Sequence, residues 1–96
     1  MAFEKAVITN IINKFEQSGN VAPSVWFEYG TLWADTNSQL DAYTIRQAVE
    51  ECLSPNYTVK ISKLDSTDVE PWDQYAFDIV PKPFYENNTV ELKVVA

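Results

Sequence analysis

Histidine is absent from this chain of 96 residues, and cysteine occurs once, as Cys52. The first absence removes the side chain that most often serves as general base near neutral pH and most often ligates a metal. The second excludes an internal disulfide and any paired-cysteine zinc or redox site, and it fits a reducing compartment. Glycine is nearly as scarce, with Gly19 and Gly30 alone. Phosphate-cradling loops of the GxGxxG or GxxxxGKS/T kind need glycines grouped within a few residues, so neither can form. No cofactor is expected on these grounds.

Positive charge is short as well. Seven Lys and Arg face fourteen Asp and Glu, giving a net charge of −7 and a pI near 4.3. Binding to nucleic acid requires Lys and Arg to neutralise phosphates, so direct nucleic-acid binding is not expected, and an anionic membrane surface is disfavoured for the same reason. The charge-complementary partner is a basic surface of another protein. The same charge also keeps a small domain soluble.

No apolar run approaches the ~20 residues that a membrane-spanning helix needs. Glu4, Lys5, Asn10, Asn13 and Lys14 break the first fifteen residues, leaving no apolar centre for a secretory signal. The sequons at Asn56 and Asn87 carry no weight without an export signal. The expectation is a cytoplasmic protein, of a host cell if the source is viral.

What the chain does have is apolar material: 46% hydrophobic and 14% aromatic residues. That suffices for one core, and residues 1–96 read as a single domain without repeats or linkers. Phe3, Val7, Ile8, Ile11, Ile12 and Phe15 recur every three or four positions, which predicts a helix over about 2–18 that stops at Gly19. Val25, Phe27 and Tyr29 then alternate with Trp26 and Glu28. Gly30 interrupts this run, either as a bulge or, preferably, as half of a Tyr29-Gly30 turn leading into a second strand over Thr31–Ala34. Thr36-Asn37-Ser38-Gln39 offers several helix caps, including a Thr-x-x-Gln box. Ala42, Ile45, Ala48, Val49, Cys52 and Leu53 form the next helical stripe, with Arg46 and Glu50 paired on its outer side and Pro55 beyond its end.

Three alternating segments follow, with Tyr57, Val59 and Ile61, then Tyr75, Phe77 and Ile79, then Val90, Leu92 and Val94 facing inward. The connections fall at 65–73 and 81–88, and Pro81 and Pro83 belong at an edge or in a loop. The order α-β(β)-α-β-β-β predicts an α+β two-layer sandwich. Its mainly antiparallel sheet has four or five strands, with both helices packed on one face.

Few residues suggest chemistry. Cys52 sits on an apolar stripe and reads as a small core residue rather than a nucleophile. The oxygens from Asp35 to Asp41 are spaced like a calcium loop, but Leu40 replaces its turn glycine and Arg46 its bidentate glutamate, so helix capping accounts for them. Carboxylate pairs such as Asp65 with Asp68, or Asp73 with Asp78, could serve as acid and base if burial split their pKa values, but no multi-residue catalytic template is met. An enzyme is therefore not expected.

The segment Asp65-Ser-Thr-Asp68-Val-Glu70-Pro-Trp72-Asp73 carries four carboxylates and no cation of its own. At an extended reach of at most ~3.3–3.6 Å per residue the loop could space these charges several ångströms apart, the scale of successive phosphates on a nucleic-acid strand, with ~3.4 Å of axial rise per step. It predicts a polyanion-like surface formed by Asp65, Asp68, Glu70 and Asp73, with Trp72 as an aromatic anchor. A solvated acidic loop whose indole folds back on the sheet is the simpler alternative. Trp26, and Trp33 with it, raise a second contact surface on the sheet face away from the helices, where Val80 and Val95 would also stand, unless a register shift at Gly30 buries the indole instead.

Three functions follow. The first is a protein-binding module, of the physical type of small acidic phage-encoded inhibitors that occupy a basic or nucleic-acid-handling host surface. The second is an assembly subunit, most simply a homodimer joined through the open sheet face. The third is a small carboxylate enzyme.

Overall fold

The computed structural model describes residues 2–65 and 73–82. It contains α1 (Ala2–Gln17), β1 (Val25–Glu28), β2 (Thr31–Ala34), α2 (Gln39–Glu50), β3 (Tyr57–Leu64) and β4 (Gln74–Pro81). This is the expected α+β class. The strand anticipated at Val90–Val94, and Val95 with it, lie outside the described residues.

Helix α1 buries Val7, Ile11 and Phe15, one residue per turn of its apolar stripe. It ends as Gly19 enters the left-handed region at φ 76°, while the Gly19 and Asn20 amides return to the carbonyls of Glu16 and Phe15. This double bond satisfies carbonyls that the helix leaves unpaired.

The aromatic stretch resolves as two strands. Tyr29 (φ 52°) and Gly30 (φ 80°) both take positive φ, which makes the two-residue turn a type I′ hairpin. Tyr29 is therefore not the third inward residue of an alternating strand; it stands at the hairpin tip, 101% exposed. The helix cap is also displaced from the Thr-x-x-Gln box. Ser38 is the N-cap, its hydroxyl accepting from the Asp41 amide at 3.2 Å. Thr36 donates to the Asp41 carboxylate at 3.0 Å and accepts from the Ser38 amide, so the same residues form a cap two positions later. The far end of α2 tightens: the amides of Cys52 and Leu53 reach back three residues, to Val49 and Glu50, so these two side chains lie just past the helix rather than on it.

The strands form one antiparallel sheet in the order β1-β2-β4-β3. Both β2 and β3 run antiparallel to β4, so they are parallel to each other, and α2 makes the crossover between them. The core lies on one side of the sheet. Leu32, Ala34, Val59, Tyr75 and Phe77 meet Val7, Ile11, Phe15, Ala42, Ile45, Ala48 and Val49. Tyr57 points the same way but stays exposed, because it pairs with Pro81 at the end of the ladder.

Pro81 closes a central strand, a position that needs a reason. The Lys82 amide donates to the Asn56 carbonyl at 2.8 Å, toward β3. Successive amides alternate sides, so the proline's missing N–H faces the β2 side, where the pairing has already stopped at Thr31–Asp78.

Candidate functional site

The period-2 alternation that turns Phe27, Leu32, Phe77 and Ile61 toward the core in one cross-strand row sends the neighbouring row to the opposite face. That row reads Trp26, Trp33, Ala76 and Ser62 across β1, β2, β4 and β3. Beside it runs Glu28, Thr31, Asp78 and Lys60. Gln74 and Leu64 flank the first row at one end, Val80 and Thr58 the second at the other. Both helices lie on the far side, and among the described residues no element packs on this face.

The two indoles occupy directly opposed positions of a hairpin, where Cβ atoms stand about 5 Å apart. Both are half-buried. Ala76 is only 6% exposed although it lies on the side away from the core cluster. Its methyl group makes a floor between Trp33 and Ser62, its register partners.

Carboxylates border the aromatic row. Asp78 accepts from the Thr31 hydroxyl at 2.7 Å, and Asp35 accepts from the Gln74 amide at 2.9 Å. Glu28 is exposed at the hairpin end of β1. Among the described strand residues Lys60 is the sole cation on this face.

The acidic connection leaves β3 and enters β4 at the end of the sheet where Asp35 stands. Asp65 is exposed, with the Lys63 ammonium 3.9 Å away, so a cation from the adjoining strand does approach this segment. Asp73 is half-buried and engaged within the fold. Asp68, Glu70 and Trp72 lie outside the described residues. The pair Asp73 and Asp78 is not brought together: five residues of extended chain separate them by about 16 Å.

On the helical side, the Glu51 carboxylate meets the Lys14 ammonium at 2.7 Å and the Asn10 amide at 3.0 Å. The Lys14 bond, then the Asn10 bond, hold the Glu51 pKa below its ordinary value of 4.5. Asn10 also donates to the Ala48 carbonyl at 2.8 Å, so this group ties α1 to the end of α2. Cys52 is half-buried rather than enclosed, its thiol 3.6 Å from the Ala48 carbonyl. It lines an open groove of about 650 Å³ beside Lys5, Asn10 and Glu51. No group of three His, Cys, Asp or Glu side chains is gathered for a metal among the described residues. None of the described helices is long and apolar enough to cross a membrane.

No family model, curated protein or solved structure matches this chain.

Proposed function

We propose that the protein is a binding module whose open sheet face seats a basic surface of another protein. The supporting observation is the cross-strand row Trp26–Trp33–Ala76, bordered by Glu28, Asp35 and Asp78. Two indoles beside a small residue offer a flat apolar platform. Tryptophan faces attract guanidinium groups, by about 0.5–2 kcal/mol depending on desolvation. The surrounding carboxylates can receive the same groups, and the net charge of −7 steers them in. A second copy of the same face would set carboxylates against carboxylates, so this chemistry favours a basic partner over self-association. Occupying a basic, nucleic-acid-handling surface, as a small inhibitor does, is the role it fits.

The test compares two variants with the same change in net charge. Glu28→Lys/Asp78→Lys alters the open face, and Glu4→Lys/Glu16→Lys alters α1. In calorimetric titrations with a blocked arginine–glycine peptide, the first should weaken binding at least ten-fold and the second less than two-fold. Trp33→Ala should act like the first. Equal losses in both charge variants would reduce the effect to overall charge and refute the site.

A further inference from the structure

The sheet has a second surface of the opposite character. Strand β3 is at the edge, and its residues 57–64 contain Lys60 and Lys63 and no carboxylate, within a chain that is acidic overall. The bond from the Lys82 amide to the Asn56 carbonyl fixes which backbone groups face β4. By alternation, the even-numbered residues of β3 bond to β4 and the odd-numbered ones point outward. The Tyr57 amide is used by the Ser54 carbonyl at 3.1 Å. That leaves the N–H groups of Val59, Ile61 and Lys63, with their carbonyls, without a ladder partner among the described residues. The edge at β1 is shorter: only Val25 and Phe27 face outward there, just after Pro23.

We propose that the outer edge of β3 is a strand-addition site for an acidic extended segment of a partner protein. Charge selects this occupant. Pairing β3 with β3 of a second copy would bring four lysines into one ladder with no carboxylate from either strand, the arrangement by which edge lysines deter self-association. The same lysines attract a strand that carries carboxylates. The contact between Lys63 and Asp65 is long and exposed on both sides, so an incoming carboxylate can replace it.

The register dictates the ligand's pattern. Lys60 lies on the open face and Lys63 on the helix-side face, while Val59 and Ile61 continue the apolar core toward the edge. In an antiparallel strand, the residues opposite Lys63, Ser62, Ile61, Lys60 and Val59 follow in that order from N to C. The recognised segment therefore reads acidic, any, apolar, acidic, apolar. Main-chain bonds at Val59, Ile61 and Lys63 supply affinity, and the two carboxylates supply selectivity.

The probe is the blocked peptide Thr-Glu-Thr-Val-Glu-Val-Thr, compared with a reordered peptide of the same composition and with a version carrying Lys for Glu. Amide exchange followed by NMR should show new protection at Val59, Ile61 and Lys63. Amides of Thr58, Lys60, Ser62 and Leu64, already bonded to β4, should not change. Lys60→Glu/Lys63→Glu, verified as folded by circular dichroism, should weaken the glutamate peptide at least ten-fold and gain binding of the lysine peptide. Trp33→Ala should leave the edge site intact, which separates it from the open face. The proposal is overturned if the alternating protection does not appear, if the reordered peptide binds equally well, or if Val59, Ile61 and Lys63 are already protected without peptide.

Discussion

Glu51 shows how one side chain ties two elements. Its carboxylate joins Lys14 and Asn10 of α1 at the point where α2 ends, and these partners hold its pKa below 4.5. A carboxylate whose pKa is depressed by folding contributes stability above its ordinary pKa and loses it as pH falls through the folded value. Glu51→Gln should therefore lower Tm at pH 7, and the gap to the native protein should close as pH drops below about 4.5. Thermal melts across that range check it; a gap that did not narrow with falling pH would mean that the ion pair is not its source. The local i,i+4 pair Arg46–Glu50 was legible from spacing, and its Nε–Oε1 distance is 2.7 Å. The contact between Glu51 and Lys14 was not, because thirty-six residues of intervening chain carry no sign of which helix faces meet.

At the scale of elements, caps and turns decided what periodicity left open. Tyr29 fits an alternating strand as well as a turn, and Gly30 tips the choice, since positive φ at both central residues matches the twist of a hairpin. The start of α2 had several suitable residues in a row. Ser38 wins because its hydroxyl can take the Asp41 amide while Thr36 secures both the Ser38 amide and the Asp41 carboxylate. Ser38→Ala should then cost about 1 kcal/mol of stability by urea denaturation. Gln39→Ala, which leaves this network intact, should cost much less; a larger effect at Gln39 would restore the Thr-x-x-Gln box.

Across the whole molecule, a single sheet divides its work between two sides. Phe77 is fully buried at the centre of the helix-side core, whereas Trp33 is half-buried on the open side. Phe77→Ala should destabilise by about 3–5 kcal/mol. Trp33→Ala should cost distinctly less in the same urea titration while weakening binding of the arginine–glycine peptide at least ten-fold. Reversal of that order would make the indole part of the scaffold instead of a contact surface. The charge is likewise divided, with carboxylates around the tryptophan row and lysines along β3, so the two proposed surfaces would suit partners of opposite sign.

The chain's own pattern determined two helices, four of the strand segments, the inward residues Val25, Phe27, Val59, Ile61, Tyr75, Phe77 and Ile79, and the excess of negative charge, because periods of 3.6 and 2 and the composition are local properties. The pairing of strands is not local. Only the tertiary structure placed β4 between β2 and β3, since that order depends on α2 crossing the sheet to cover one shared apolar face. From that placement alone come the neighbours Trp33 and Ala76, the bond from Thr31 to Asp78, and the position of β3 at the edge.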